Sequence, residues 1–288
     1  AGSTGQTRLE SLAPGWLPPP PIRTEQRRFR SADGTTVRMF VLSPPGGAPG
    51  PRPTLLTGYG GFAISRKPTY SATALAWVAA GGVYALASLR GGGEEGEAWH
   101  LAGVREHKQR VFDDFHAAAD ALVADGTTSH DRLAILGGSN GGLLVGAALT
   151  QRPDAYRAVV CSAPLLDMAR YERFSIGRFW SHEYGSADNP DELGWLLSYS
   201  PYHRVQPGVA YPAVLFTVFD ADSRVDPAHA RKMCAALQQA TAADPADRPV
   251  LLRRERDVGH STRSVSRSVN LSVDQLAFLA AHTGLVRP

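Results

Sequence analysis

The chain has 288 residues, of which 43% are hydrophobic and 20% are charged, and its formal net charge at pH 7 is +3. This length allows one large domain or two small ones, and the composition is typical of a globular protein with a substantial core. The small net charge argues against a nucleic-acid-binding surface. The short arginine clusters at 27–28 and 253–254 do not alter this, because such clusters are typical of solvated strand or loop faces.

Apolar patterning places further limits on the class of protein. No apolar run approaches the ~18 residues of a membrane span, and the first residues lack the pattern of a signal peptide, so a cytoplasmic protein is predicted. The two cysteines, Cys161 and Cys234, lie in apolar sequence. We therefore predict that they are buried packing residues and not a disulfide or a metal site.

The first part of the chain predicts an extended lead-in and then a hairpin. Residues 1–24 are rich in proline, which favours polyproline geometry. Residues 26–30 and 36–42 alternate polar and apolar side chains around an Asp-Gly turn at 33–34, the pattern of a β-hairpin. A loop rich in turn residues then leads to a short buried strand at 54–57.

Strands and helices alternate through the rest of the chain. In chain order, the predicted elements are helix 70–80, strand 83–89, helix 107–125, strand 133–136, helix 141–151, strand 158–162, strand 213–219, helix 227–240, strand 250–255 and helix 265–282. This order predicts an α/β fold: a mostly parallel, eight-stranded sheet covered by helices on both faces. The irregular, aromatic-rich residues 164–207 are predicted to form a cap-like insertion.

A glycine-rich turn at residues 137–141, GGSNG, connects a buried strand to a helix and matches G-x-S-x-G, the nucleophile elbow of α/β-hydrolases. A serine in this strained turn needs small neighbours, and its hydroxyl projects clear of the sheet edge. The N–H of Asn140 lies at the start of the next helix, where unpaired donors stabilise an oxyanion. We therefore predict that Ser139 is a nucleophile in an α/β-hydrolase catalytic domain spanning 25–288.

A serine nucleophile needs a base and an acid, which in α/β-hydrolases follow it in the order acid, then histidine, on loops after strands. His260 lies in a glycine loop just past the final predicted strand and is the predicted base. Asp220 and Asp222 both follow the strand that ends at 219, so the pattern leaves the choice of acid open, while Asp226 is a predicted helix cap. The second oxyanion donor is expected from the loop at 58–62.

Several motifs together resemble the catalytic domain of the prolyl oligopeptidase family, serine peptidases that cleave after proline. These motifs are GYGGF at 58–62, RGGGE at 90–94, FDDF at 112–115, GGSNGGLL at 137–144, SYSPY at 198–202 and DADSRV at 220–225. The similarity runs from about residue 26 to residue 281, which is nearly the whole chain.

The resemblance implies a role for each site residue. It assigns the acid to Asp222 and the base to His260, and it makes the Tyr59 hydroxyl an oxyanion donor beside the Asn140 N–H. Arg224 would bind a substrate carbonyl upstream of the cleaved bond, and Trp180 would stack on the substrate proline. The other implied walls of the proline pocket are Phe62, Leu165, Tyr184 and Val225. A flat aromatic slot suits proline, whose compact ring has no N–H to leave unpaired when it is buried.

The implied chemistry requires no metal or cofactor, and the expected partner is a proline-containing peptide, with neither nucleic acid nor membrane involved. Members of the family usually carry a β-propeller that restricts substrates to short peptides. No propeller is found in this sequence, so a propeller domain or separate chain missing from it is a candidate partner. The alternatives are an esterase, an acyltransferase or a peptide cyclase of the same fold, or a catalytic fragment that needs a propeller chain.

Overall fold

The structure is a computed structural model that describes residues 20–46, 50–260 and 263–285. Within these ranges eight strands form one sheet in the order β1-β2-β4-β3-β5-β6-β7-β8. The strands are β1 (Arg23–Arg30), β2 (Thr36–Ser43), β3 (Thr54–Thr57), β4 (Val83–Ser88), β5 (Leu133–Gly138), β6 (Ala158–Ser162), β7 (Ala213–Phe219) and β8 (Val250–Glu255). Strand β2 pairs antiparallel with both β1 and β4, and all the other neighbouring pairs are parallel. The predicted mostly parallel sheet is therefore confirmed.

The helices of the described residues connect these strands. They are α1 (Ala72–Ala79), α2 (Glu97–Leu101), α3 (Gln109–Ala124), α4 (Asn140–Gln151), α5 (Ser181–Tyr184), α6 (Pro190–Tyr199), α7 (Ala228–Ala240) and α8 (Val265–Thr283). The short helices α2, α5 and α6 were not predicted individually. The predicted lead-in at 1–24 lies mostly outside the described residues, and β1 already begins at Arg23.

Local chemistry explains where the larger differences from the predicted bounds arise. Helix α3 begins two residues later than predicted because Arg105 has a φ of 51° and a single 3₁₀ turn precedes the helix. Helix α1 begins at Ala72 because Ser71 caps it, its hydroxyl accepting a hydrogen bond from the N–H of Ala74. The predicted cap at α7 is present, since Asp226 Oδ1 accepts a hydrogen bond from the N–H of Ala228 at 2.8 Å.

Helices cover both faces of the sheet, because successive side chains of a strand point to opposite faces. In β6, Val159 and Cys161 pack into the core formed with α3, α4 and α7, whereas Ala158 and Val160 pack into the core formed with α1 and α8. Cys161 and Cys234 are both buried and unbridged, as predicted.

Residues 164–207 connect β6 to β7 and contain α5 and α6. Three tyrosines of this segment, Tyr171, Tyr184 and Tyr199, are fully buried in the same core as the strands. The segment therefore packs on the sheet and has no core of its own. Its action as a cap stays a prediction, as does the division of the chain at residue 24.

None of the helices in the described part of the chain combines the length and the apolar character that crossing a bilayer would require.

Two neighbouring glycines in β5 give a test of the fold. A Cβ on Gly137 would lie 1.9 Å from the carbonyl oxygen of Gly141, whereas a Cβ on Gly138 would meet nothing closer than 3.6 Å. Backbone cannot move aside as a flexible side chain can, so we expect Gly137→Ala to lower the free energy of unfolding by about 3 kcal/mol. Gly138→Ala is the matched control, and urea denaturation of both variants measures the difference. Equal stability of the two variants would contradict this account of the turn.

Candidate active site

The turn between β5 and α4 holds Ser139 with a φ of 58° and a ψ of −123°, a strained conformation for a residue with a side chain. The N–H of Ser139 donates to the carbonyl of Ser162 on β6 at 2.9 Å, and its own carbonyl accepts from the N–H of Gly142 at 2.8 Å. Helix α4 begins at Asn140, one residue earlier than predicted. The turn thus has the geometry of a nucleophile elbow.

The loops after β7 and β8 bring His260 and Asp222 together. His260 Nδ1 lies 2.7 Å from Asp222 Oδ2, and the Asp222 side chain is only 1% exposed. Asp222 Oδ1 accepts hydrogen bonds from the N–H groups of Arg224 and Val225, each at 2.9 Å. Both carboxylate oxygens are therefore occupied, and the imidazole is held in one orientation.

Asp220, the other acid that the pattern offered, has a different environment. It accepts a hydrogen bond from Arg254 Nε at 2.8 Å and another from Arg231, and it contacts them at the surface. Among the described residues, the structure contains no hydrogen bond between Ser139 and His260. The complete Ser-His-Asp triad therefore stays a prediction, with its Asp-His half in place.

The loop at 58–62, which we call the oxyanion loop, follows β3 and lies against the elbow. Asn140 Nδ2 donates to the carbonyl of Tyr59 at 2.6 Å. Burial raises the pKa of the Tyr59 phenol, and its hydrogen bond with Ser139 and the charge of Arg224 offset this only in part. The phenol is therefore protonated at neutral pH and can donate a hydrogen bond beside Ser139.

A small cavity of about 160 Å³ opens at Ser139. Its lining consists of Tyr59, Phe62, Ile64, Ser139, Leu165, Trp180 and Arg224. The rings of Phe62 and Trp180 meet edge to face, with their centroids 6.3 Å apart. Sequence patterns did not indicate Ile64, an exposed residue that carries no motif of its own.

Two residues implied as pocket walls do not line this cavity. Tyr184 is fully buried beneath it, where its hydroxyl donates to Asn140 Oδ1 at 2.8 Å and its ring contacts Phe62. Val225 is 3% exposed and contributes its backbone N–H to Asp222. Their roles as pocket walls stay predictions: in the structure Tyr184 supports Phe62 and Asn140, and Val225 supports Asp222.

Comparison with known proteins gives one family match. The model of the prolyl oligopeptidase family matches residues 68–285. The uncharacterized peptidase y4nA of Sinorhizobium fredii is 47% identical over 81% of this chain and 32% of its own length. The prolyl endopeptidase of Elizabethkingia miricola is 42% identical over 91% of this chain and 37% of its own length. The chain thus spans about a third of the length of these relatives.

Solved structures agree with this match. A prolyl endopeptidase structure superposes with a TM-score of 0.87 and 46% identity, covering 93% of this chain and 38% of its own. Prolyl oligopeptidase B from Galerina marginata, bound to a 35mer hydrolysis and macrocyclization substrate, superposes with a TM-score of 0.89 and 34% identity, with the same coverage. The predicted α/β-hydrolase fold is confirmed.

The two aspartates after β7 give a test of the site. We expect Asp222→Asn to slow labelling of Ser139 by a fluorophosphonate by about three orders of magnitude, because an amide cannot stabilise the imidazolium or fix its tautomer. Asp220→Asn, two residues away, removes a surface ion pair and should label at the wild-type rate. Equal rates for the two variants would show that the Asp222–His260 contact has no part in activating Ser139.

Proposed function

Because the chain belongs to the prolyl oligopeptidase family, we propose that it is a serine peptidase that hydrolyses peptide bonds on the carboxyl side of proline. The observation that carries the proposal is the cavity that Ser139 shares with Phe62 and Trp180. It places a small aromatic slot directly beside the nucleophile, where the residue before the cleaved bond would bind. Relatives that carry the name prolyl endopeptidase support the same choice of substrate.

The proposed reaction has two stages. Ser139 Oγ attacks the substrate carbonyl while His260 accepts its proton, and the phenol of Tyr59 and the N–H of Asn140 hydrogen-bond to the oxyanion. His260 then donates the proton to the leaving amine, which leaves an acyl-enzyme. Water, activated by His260, releases the acid and restores Ser139, and Asp222 stabilises the imidazolium in both stages.

The cavity chemistry supports proline as the preferred residue. Rings at nearly right angles and Leu165 form apolar walls that suit a compact ring. Proline has no N–H, so its burial in such walls leaves no donor unpaired. Arg224 is exposed and lines the cavity, and in this proposal it would donate to a substrate carbonyl upstream of the cleaved bond.

Acyl transfer to an amine is the second candidate function. The Galerina marginata structure carries a substrate named for both hydrolysis and macrocyclization. In a cyclase, the substrate's own amino group would replace water in the second stage, and the same acyl-enzyme would serve. Mass spectrometry of the products from a long proline-containing peptide separates the two, since a cyclic product is lighter than the corresponding acid by one water.

The surroundings of the catalytic unit are a separate proposal. The relatives extend well beyond the matched region, which leaves room in them for a further domain. A β-propeller partner and a cytoplasmic location therefore stay predictions for this chain.

The proposed peptidase is tested with the chain itself. We expect hydrolysis of a succinyl-Ala-Pro p-nitroanilide and at least tenfold lower kcat/KM for the matching Ala-Ala substrate, because alanine leaves part of the slot empty. Ser139→Ala should remove the activity and keep the fold. Activity that survives in Ser139→Ala would contradict the assignment of Ser139 as the nucleophile. Equal rates on the two substrates would contradict the preference for proline.

Adjacent aromatic residues give a test of the slot. Trp180 lines the cavity, whereas Phe179 is 62% exposed and stacks on Arg178. We expect Trp180→Ala to lower kcat/KM on the prolyl substrate by about tenfold to a hundredfold, since the proline ring loses an apolar wall. Phe179→Ala should leave it unchanged, and an equal effect of the two substitutions would place the proline elsewhere.

A further inference from the structure

A buried ion pair lies next to the oxyanion loop and has no part in the reaction proposed above. Lys108 Nζ is 2.9 Å from Glu183 Oε1, and the two side chains are 1% and 0% exposed. His100 Nε2 contacts the other carboxylate oxygen at 2.9 Å. Buried charges are costly unless they are paired and hydrogen-bonded, so this cluster calls for an explanation.

The cluster contacts the oxyanion loop directly. Lys108 Nζ donates to the carbonyl oxygen of Gly60 at 3.0 Å, one residue after Tyr59. The same ammonium lies 5.2 Å from the centroid of the Tyr184 ring, whose hydroxyl donates to Asn140. The loop is thus anchored on one side by Asn140 and on the other by Lys108.

The loop needs such anchors because its backbone is strained. Phe62 in the loop and Ala63 directly after it have φ values of 57° and 52°, the left-handed region that residues with a Cβ rarely adopt. Strained segments keep their conformation only where the surrounding contacts determine it. A Cβ on Gly60 would lie 2.3 Å from Val111 Cγ1, so the loop is also pressed closely against α3.

The charge of Lys108 and the hydrogen bonds around Glu183 favour the ionised form of the Glu183 carboxyl group. Burial alone would raise the pKa of Glu183, but the Lys108 ammonium, the hydrogen bonds from His100 and Lys108, and the backbone of Phe62 together hold this pKa below its ordinary value. The carboxylate therefore favours its anionic form. Burial in turn lowers the pKa of Lys108, and the charge and hydrogen bond of Glu183 oppose that shift. Glu183 lies on α5 beside Tyr184, whose ring contacts Phe62 of the aromatic slot, so the pair is connected to the slot as well as to the loop.

We propose that Lys108 and Glu183 are positioning residues, which hold the oxyanion loop so that the Tyr59 hydroxyl faces the developing oxyanion. This inference rests on the proposed serine hydrolase chemistry but not on the preference for proline. Replacing either residue would therefore lower kcat, because the Tyr59 hydroxyl would no longer be held in position.

A double-mutant cycle between Lys108→Met and Tyr59→Phe tests this path. The substrates are p-nitrophenyl acetate and the prolyl p-nitroanilide. We expect Lys108→Met to lower kcat by about thirtyfold in the wild-type background and by less than about threefold in Tyr59→Phe, because the donor that it positions is already gone. Equal losses in both backgrounds would overturn the proposal.

A structural control separates positioning from loss of stability. Tyr156→Phe removes another buried hydrogen bond, the one to His116 Nδ1 at 2.9 Å, and neither partner belongs to the oxyanion loop or to the buried ion pair. It should lower the Tm and leave kcat unchanged. If kcat of Tyr156→Phe fell in proportion to the drop in its Tm, the loss of kcat in Lys108→Met would be explained by lost stability alone. That result would overturn the positioning role. If Lys108→Met is not recovered folded, Glu183→Gln, which keeps the side-chain volume, replaces it in the same cycle.

The two substrates keep the proposals distinct. Ester hydrolysis without prolyl hydrolysis would refute the peptidase proposal, while the cycle measured on the ester would still decide the role of Lys108. Absence of both activities would remove the chemistry on which the positioning rests and overturn both.

Discussion

The backbones of β5 and α4 approach each other so closely around Ser139 that no side chain fits between them. A Cβ at Gly137 would overlap the carbonyl of Gly141, and one at Gly61 would lie 2.6 Å from Asn140 Nδ2. Because Gly61 has no side chain to block it, the Asn140 side chain reaches the carbonyl of Tyr59. The lack of a side chain at these two glycines therefore allows the serine turn to form and allows the oxyanion loop to pack against it.

Parallel strands place the two other residues of the proposed triad at the same edge of the sheet. Ser139 follows β5, while Asp222 and His260 follow β7 and β8, which pair through Phe219 and Glu255 at their carboxyl ends. Residues 38 positions apart in sequence thus become neighbours across one strand pair. The turn after β7 then aims the carboxylate, since two backbone N–H groups hold its second oxygen. Sheet register supplies the proximity, and local hydrogen bonds supply the orientation.

The central strands could be predicted with correct bounds at 54–57, 158–162 and 213–219, because buried apolar runs bounded by turn residues are strong local signals. The local pattern alone could not choose between Asp220 and Asp222, because both lie in one loop. The family resemblance made that choice, and the contact with His260 falls on Asp222. Tyr184 was expected in the pocket from the family resemblance, and no local pattern indicates that its ring is fully buried. Lys108 gave no signal at all, since its partners lie 48 and 75 positions away.

In our proposal the buried Lys108–Glu183 pair serves the geometry of the oxyanion loop and not the stability of the fold. Replacing two buried charges by apolar side chains of similar volume is often neutral or stabilising, so Lys108 and Glu183 are poorly explained as a source of stability. An apolar pair, however, could not donate to the carbonyl of Gly60 or accept from His100. The strained loop would then lose a directional contact that packing alone does not replace, because dispersion and hydrophobic burial have little directional preference. Ionic hydrogen bonds fix a donor to within a few tenths of an ångström, and that precision is what an oxyanion site requires.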